Sequence, residues 1–519
     1  MDVPYYIKVG KATDLKNPKE RFIYRVFEII PGFLVWFTLI GIFVFSWLFP
    51  FYVGFFIIAF CIYWLLRTIY FSLCLVSAYR EMNRNLKIDW IEKLNQLKEN
   101  DWKDVYHLIV FPMYKEELSV ARETFQALAD CYYPKEKMIV VLGIEQRAGQ
   151  EAERTAQEIE KEFGPKFHRF LITRHPNDIV GEIAGKGSNE SWAGRKAKEE
   201  IIDKEGIPYE KVIVSSFDID TQAYPHYFSC LTYHFLIDPD PFHSSFQPIP
   251  LYLNNLKEAP FFSRLVSSCN VFWQMIQQQR PEKLVTYSSH SMSFKSLVEM
   301  DFWQTNVVSE DAGIFWKSLL FFEGNYKTIP LHYPISQDNC VADSLKQTII
   351  NQYKQQRRWA WGGEGIPYIL FGFFKNKKIP FWKKFHYVFL LIEGFWAWGT
   401  NALIILFLGW LPIVLGGEEF RQTVLSYSLP TITGNLMKIA LVGVLVFMII
   451  NSLLLKASKL EFGRKENLFI VAQWVFLPVS LIIFGAIPSI EAQTRLMLGK
   501  YMGFWVTEKF RLKKNDGFL

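Results

Sequence analysis

The chain has 519 residues, half of them hydrophobic and 17% aromatic, and 57 basic against 51 acidic side chains leave a net charge of +6. This composition excludes a disordered chain and a small disulfide-stapled scaffold, and so weak a positive balance gives no case for nucleic-acid binding. Six cysteines (Cys61, Cys74, Cys131, Cys230, Cys269, Cys340) are scattered without a C-x-x-C pair, a pattern that suits a reducing compartment or lipid burial rather than a zinc cage.

In chain order, residues 1–29 form a basic segment with Lys8, Lys11, Lys16, Lys19, Arg21 and Arg25. From Ile29 to Leu66 the next 38 residues carry no Asp, Glu, Lys or Arg. As one straight helix they would reach roughly 57 Å, well beyond the ~30 Å of bilayer hydrocarbon. The stretch therefore reads as a transmembrane hairpin over 30–79, with spans about Ile30–Phe49 and Phe51–Ala78 and the turn at Pro50. Arg80, Arg84 and Lys87 follow it, so the positive-inside bias puts both ends in the cytoplasm.

Residues 80–365 read as a water-soluble α/β domain. Val105–Phe111 is a buried strand stopped by Pro112, and Leu118, Ala121, Phe125 and Leu128 fall at helical spacing after it. Met138–Gly143, His168–Thr173 and Lys211–Phe217 are further strands, with helices at Gln150–Phe163 and near Ser191–Ile202 between them. Apolar strands alternating with helices predict a mainly parallel sheet, whose ligands collect beyond the carboxyl ends of the strands.

After an interfacial segment (366–384), the C-terminal part (385–490) holds three uncharged runs, Gly394–Gly417, Ile439–Leu455 and Asn467–Ile490, of 24, 17 and 24 residues. Each is long enough for one crossing. Three crossings would export the tail (491–519), yet that tail carries Arg495, Lys500, Lys509, Arg511, Lys513 and Lys514. A cytoplasmic tail needs either a re-entrant segment or a bent pair within Phe385–Gly417, turning at Gly399-Thr400-Asn401.

Three motifs carry chemistry. Asp218-Ile219-Asp220 follows a buried strand, and residues two apart on a strand share a side; two such carboxylates suit Mg²⁺ or Mn²⁺ with phosphate oxygens. Read blandly, the pair is a solvated loop. Ser309-Glu310-Asp311 opens an apolar-rich helix, where an acid often only compensates the dipole; the sharper reading makes Asp311 a general base toward a sugar hydroxyl. In Gln355-Gln356-Arg357-Arg358-Trp359, following an amphipathic pattern of Ala342, Leu345, Ile349 and Tyr353 and ended by Gly362-Gly363, Gln355, Arg358 and Trp359 share a helix face. A guanidinium grips phosphate through two hydrogen bonds and an indole is an apolar platform, although a basic interfacial anchor is the rival reading.

In this order and between apolar segments, the set resembles the membrane-integrated family 2 glycosyltransferases, the group of cellulose, hyaluronan and mannan synthases, with its D, DxD, ED and QxxRW series. Pro112-Met113-Tyr114-Lys115-Glu116 is similar to that family's P-x-Y-N-E start. Gly185-Lys186-Gly187-Ser188-Asn189 is similar to its G-K-a-x-x-N segment, and Phe504-Trp505-Val506-Thr507-Glu508-Lys509 to the FxVTxK gating loop.

The resemblance implies a GT-A-type domain inserted between N-terminal and C-terminal transmembrane helices of an integral, multi-pass protein, with the catalytic domain cytoplasmic at the plasma membrane. It implies inverting transfer from a UDP- or GDP-sugar to a growing polysaccharide, or alternatively a single transfer to a lipid-linked or short glycan acceptor. Tyr114, Glu116, Glu145, Lys186 and Asp218 would bind the donor nucleotide, and Asp218 and Asp220 a divalent metal, Mg²⁺ or Mn²⁺. Asp311, with Glu310, would be catalytic; Gln355, Arg358 and Trp359 would organise acceptor and diphosphate; Phe504, Val506, Thr507 and Lys509 would gate. Two departures stand out. The usual V-D-D-G-S becomes Val141-Leu142-Gly143-Ile144-Glu145, and the Gly-rich acceptor segment becomes Ser288 through Lys295, where His290 either contacts the acceptor or is structural. Rival readings are a transporter with a regulatory domain and a catalytically inactive nucleotide-sugar sensor.

Overall fold

The computed structural model describes residues 3–97, 102–457 and 463–507. Two long helices come first, α1 (Pro18–Leu48) and α2 (Pro50–Asn85). Asn17 caps α1 by accepting from the backbone N–H groups of Lys19 and Glu20, and Pro18 and Pro50 each open a helix at the position where a missing N–H costs nothing. Phe49 alone leaves the helical region between them, at φ −139° and ψ 56°, so the break falls beside Pro50. Both helices run past the uncharged stretch at their outer ends, where Glu28 is buried, pairs with Arg25 at 2.6 Å and accepts from Tyr501.

The central domain is an eight-stranded sheet in the order β3-β2-β1-β4-β7-β6-β8-β5. Its strands are β1 Tyr106–Met113, β2 Met138–Glu145, β3 Arg169–His175, β4 Val212–Ser216, β5 Gln222–Ala223, β6 Ser244–Tyr252, β7 Ser291–Ser293 and β8 Lys327–Gln337. β3, β2, β1 and β4 are parallel, as are β6 and β8, while β7 pairs antiparallel with β4 and β6, and β5 with β8. The sheet is therefore mixed, because the short β7 and β5 return against their neighbours. Val140 and Leu142 on one face and Val141 on the other are fully buried, as a strand covered by helices on both sides requires.

Two expectations need correction here. Pro112 does not stop β1. Val110 O accepts from Phe217 N at 2.9 Å, so Pro112, two residues on, points the same way, past the last β1–β4 pair. Its missing N–H faces no strand, and β1 continues to Met113 along β2 alone. The helix expected near Ser191 begins earlier, as α3 Lys186–Ala197, because its polar first turns are buried against β2 and the catalytic cleft rather than solvated. In contrast, Leu118–Ala129 is a helix with the expected apolar face inward, and Gln150–Phe163 is a helix over the expected residues whose Ala152, Ala156, Ile159 and Phe163 are buried.

Beyond β8 comes α4, Leu345–Ala360. Its packing decides which side of the amphipathic pattern is inside. Leu345 and Ile349 are 63% and 41% exposed, while Thr348, Asn351, Gln352, Gln355 and Gln356 are buried. The helix turns its polar face into the protein and its apolar residues outward. Gly362-Gly363 does not end the helical path either, since a short 3-10 turn, Trp361–Glu364, leads straight into α5, Gly365–Lys375.

Among the described residues five helices are long and apolar enough to cross a membrane: α1, α2, Phe381–Leu406 (α6), Val424–Lys456 and Leu468–Met497. The connection after α6 meets the α1–α2 turn, with Gly416 against Pro50 and the Phe51 and Phe420 rings 6.1 Å apart. The next helix returns along α2, its Gly443 against Thr68 and its Ile450 and Leu454 clustered with Leu75 and Ala78. The last apolar segment begins beside the sheet domain, where Trp474 stacks on Phe272 at 5.9 Å. It also ends on that side, where Arg25 donates to Leu496 O at 2.8 Å. A 3-10 turn at Gln473–Phe476 and a π turn at Ile482–Ala486 break it on the way. The segment thus begins and ends on the side of the sheet domain, and residues 501–507 lie on that side as well.

Candidate active site

A cavity of about 670 Å³ opens beyond the carboxyl ends of β1, β2 and β4 and continues between the long helices to Trp398, Asn401 and Phe484. Its wall includes Tyr114, Glu116, Glu145, Lys186, Asp218, Asp220, Glu310, Asp311, Gln355, Arg358, Trp359, Phe504, Val506 and Thr507. Lys509 falls outside the described residues. Residues from seven separate stretches of sequence therefore share one hollow.

Its electrostatic centre is Lys186, the first residue of α3. The ammonium lies 2.7 Å from Asp218 Oδ1, 2.8 Å from Asp311 Oδ1 and 3.6 Å from Glu190 Oε1. Burial works against its charge, but the carboxylates of Asp218, Asp311, Glu190 and Glu310 hold its pKa well above the ordinary lysine value. Gly187 lets α3 come this close, because a Cβ there would sit 2.9 Å from Glu310 Cβ.

Glu310 and Asp311 open the helix Glu310–Phe321 in different surroundings. Glu310 is buried, and burial together with the Asp311 charge pushes its carboxyl well above the usual range. Asp311 keeps 24% of its side chain exposed to the cavity. Adjacent acids with divergent environments divide proton-holding from proton-accepting roles. Burial, with Asp311 adding to it and Lys186 opposing, likewise carries Glu190 up to about 8.

Asp218 and Asp220 lie just past β4, in a turn closed by Thr221 N donating to Asp218 O at 2.8 Å, so strand alternation is not what orients them. Asp218 accepts from Ser288 Oγ at 2.6 Å and Gln337 Nε2 at 3.4 Å. Asp220 is fully buried and accepts from Asp338 N at 2.9 Å. Among the described residues no three or more His, Cys, Asp or Glu form a metal cage. Two carboxylates at the mouth of a cleft are nonetheless a donor set that fits Mg²⁺ or Mn²⁺, which fills its remaining positions with water and phosphate oxygens. The Lys186 ammonium, held between Asp218 and Asp311, marks the same demand for positive charge.

At the outer end Glu145 is buried and paired with Arg147 at 2.5 Å, and Arg147 lies 4.8 Å over the Tyr114 ring. Tyr114 N donates to Glu116 Oε2 at 2.7 Å. Asn189 donates to Gly143 O at 2.8 Å and so fixes α3 to β2. On α4, Gln355, Arg358 and Trp359 line the hollow, whereas Arg357 turns away to Glu491 at 2.6 Å. The Arg358 guanidinium lies 4.7 Å over the Phe504 ring, and Phe504 on its other side packs so tightly on Gly185 that a Cβ there would come within 2.5 Å. The 501–507 stretch thus crosses the cavity mouth between α3 and α4.

His290 sits beside the reacting centre, its Nδ1 3.9 Å from Asp311 Oδ1. Its imidazole is buried, Nδ1 lies 3.0 Å from Tyr287 O, and burial pulls its pKa down to about 4. Three groups that sequence reasoning passed over complete the site: Glu190 and Gln337, just described, and Glu364. Glu364 accepts from Val308 N at 2.9 Å, Ser309 N at 2.8 Å and Trp361 Nε1 at 2.7 Å, and so ties the start of the Glu310 helix to the end of α4. The signal was a lone carboxyl, since Glu364 is the only charged residue between Arg358 and Lys375. Nothing in the sequence singles out Gln337, whereas Ser288 opens the segment already marked as the altered acceptor stretch.

The model of glycosyl transferase family group 2 matches residues 213–483, just over half of the chain. Among solved structures the chain is similar to mannosyltransferase PcManGT from Pyrobaculum calidifontis in complex with GDP-Man and Mn²⁺. The identity is 14% and the TM-score 0.43, over 86% of this chain and 100% of that one. It is also similar to S. aureus TarS 1-349 in complex with UDP-GlcNAc, at 12% identity and a TM-score of 0.37, over 67% of this chain and 91% of that one. No curated protein matches it.

Proposed function

This chain belongs to glycosyl transferase family group 2, its GT-A-type α/β domain set between N-terminal and C-terminal apolar helices, and from that premise we propose that it extends a polysaccharide at a membrane face from a UDP- or GDP-sugar. The observation that carries this reading is the convergence of Asp218, Asp220, Asp311 and Trp359 on one cavity that runs on between the long helices. A chain leaving the reacting centre has a path lined by Trp398, Asn401 and Phe484. The basic residues flanking the helices, Lys8, Lys11, Arg80 and Arg84, support a cytoplasmic sheet domain in a plasma membrane crossed by α1, α2, α6 and Val424–Lys456. The working units are then the hairpin at 30–79, the catalytic domain at 80–365 and the helices at 385–490.

Tyr114, Glu116 and Glu145 face the nucleotide. Asp218 and Asp220 hold the divalent cation, which supplies Lewis-acid stabilisation of the diphosphate when bound. An incoming diphosphate competes for Lys186 and draws its ammonium off Asp311, freeing that carboxylate. Asp311 takes the proton of an acceptor hydroxyl as its oxygen bonds to the anomeric carbon from the face opposite the diphosphate. The bond from that carbon to the diphosphate oxygen breaks, and its electron pair stays on the diphosphate, where Lys186 and Arg358 stabilise the charge. One displacement inverts the anomeric centre. Phe504, Val506 and Thr507, joined by Lys509, close over the donor.

A second reading, one sugar transferred to a lipid-linked acceptor, is favoured by a specific feature of the cavity, its cationic inner wing at Arg280. Labelled UDP- and GDP-sugars offered to the purified protein with Mg²⁺ or Mn²⁺, followed by product sizing, test both. A ladder of products supports polymer extension and a single added sugar the second reading. No incorporation from any common donor sinks the enzyme assignment.

A further inference from the structure

The wall of the cavity nearest the helix bundle carries Arg67, Arg280 and Lys283, none of which the transfer step uses. Arg67 is satisfied, because it pairs with Glu393 across α2 and α6. Arg280 is not. It follows the helix Phe261–Gln278, is only 5% exposed, and its Nε and Nη1 have no hydrogen-bond partner. Its guanidinium packs 5.5 Å from the centre of the Phe71 ring, and the Arg67 guanidinium lies 5.0 Å from the same ring. Two cations, Arg280 buried and Arg67 part-buried, thus flank one ring, with Glu393 and Glu282 the carboxylates that face this wing. Burial and Arg280 both depress the pKa of Lys283, a further sign that this wing is short of negative charge. A buried guanidinium without a partner is costly, and planar forked donors match phosphate oxygens.

We propose that Arg280, backed by Lys283 and Arg67, is an anion subsite for the phosphate of a lipid acceptor, distinct from the donor diphosphate position at Lys186 and Asp218. Two observations select a lipid. The Tyr70 ring, 5.7 Å from the Arg280 guanidinium, is 46% exposed on α2, a helix apolar enough to cross a membrane. Phe385 and Phe389 are likewise exposed on α6, within two turns of Glu393. A headgroup therefore reaches Arg280 sideways from an apolar surface. Tyr287, faced by Arg280 and Gln277, adjoins Ser288, which holds Asp218, and Thr286 donates to Asp311 O at 2.6 Å, so the segment 286–288 joins the anion subsite to the reacting centre.

This inference rests on the second reading above, but its test needs no turnover. Short-chain phosphatidic acid, the matching diacylglycerol and inorganic phosphate are titrated onto the purified full-length protein in phosphatidylcholine nanodiscs. The wild type is expected to bind phosphatidic acid at least ~10-fold more tightly than diacylglycerol. Arg280→Gln is expected to erase that preference, and Arg280→Lys to keep part of it. Because Nε and Nη1 of Arg280 have no hydrogen-bond partner and its remaining contacts are with rings, Arg280→Gln without added lipid should unfold near the wild-type temperature. Equal phosphatidic acid affinity in Arg280→Gln and wild type overturns the subsite. Binding of inorganic phosphate without phosphatidic acid overturns the lipid, and a clear fall in the Arg280→Gln unfolding temperature makes the residue structural. A protein that transfers sugar but shows no phosphatidic acid preference keeps the transferase reading and loses this one.

Discussion

The two ends of the cavity are unbalanced in opposite directions. At the sheet end, Asp218, Asp311, Glu190 and Glu310 gather around Lys186. At the bundle end, Arg67, Arg280 and Lys283 stand against Glu393 and Glu282. Left alone, each end destabilises the fold, since like charges brought out of water repel with little screening. A protein holds such arrangements where ligands complete them. The sheet end asks for a cation and the diphosphate that comes with it, and the bundle end asks for an anion. The difference gives the cavity a direction, with donor at one end and acceptor at the other.

The sharpest way to break that direction is at the base. Asp311→Asn keeps the side chain's shape but removes its proton affinity, so sugar transfer should fall by ~10²–10⁴-fold, measured with labelled donor in membranes. An undiminished rate would move the chemistry elsewhere in the cavity. Next in size is the missing cation. Chelation should lower transfer by roughly 10²–10³-fold, with Mg²⁺ or Mn²⁺ restoring it. Asp218→Asn should raise the metal concentration needed for half-maximal activity, and activity indifferent to chelator would leave Lys186 as the sole positive charge at the sheet end.

A smaller effect sharpens the other end. Glu393→Gln leaves the Arg67 charge without its carboxylate. The two side chains are 14% and 16% exposed, so the expected loss of stability is on the order of 2–3 kcal/mol, short of what a fully buried pair costs. The same variant makes the wing more cationic, and phosphatidic acid should bind more tightly to it. Lower stability with unchanged lipid affinity would mean that Glu393 does not face the subsite.

Much of the sheet end was legible in the sequence because its chemistry is written in short motifs. Asp218-Ile219-Asp220, Glu310-Asp311 and Gln355 to Trp359 each combine a residue type with a local position. The bundle end was not legible, because Arg280 is an unremarked arginine until α2 and the Phe261–Gln278 helix bring Tyr70 and Phe71 around it. The same logic separates the fold's successes from its corrections. Gln150–Phe163 was read to the residue, since one amphipathic helix on a sheet obeys local periodicity. For α4 periodicity reported only that the helix has two faces, and its neighbours decide which is inside. With a polar cavity on one side and an apolar exterior on the other, Gln352 and Gln355 go in and Leu345 and Ile349 go out. Pro112 was misread as a stop for a related reason, since whether a missing N–H matters depends on which neighbouring strand has already ended.

Glu364 ties the Glu310 helix to the end of α4, and its titration offers the finest test of how tightly those two elements are coupled. It holds the backbone that leads into Glu310 and the indole that follows α4, and burial pushes its pKa up to about 7 from 4.5. A carboxyl whose pKa is raised by folding binds its proton more tightly in the folded state. Its contribution to stability is therefore fully present below about pH 4.5 and lost as pH rises through about 7, by up to roughly 3 kcal/mol. Burial raises Glu190 in the same sense, to about 8, so Glu364→Gln should flatten the pH 5–7 part of the profile and leave the part nearer 8. Chemical denaturation of the two proteins across that range measures it. Transfer by Glu364→Gln should fall only several-fold, because the amide still accepts from the backbone, and more of the loss should appear in kcat than in KM if Glu364 aligns Asp311 with α4. A variant whose stability profile overlays the wild type throughout would detach Glu364 from the joint between the Glu310 helix and α4.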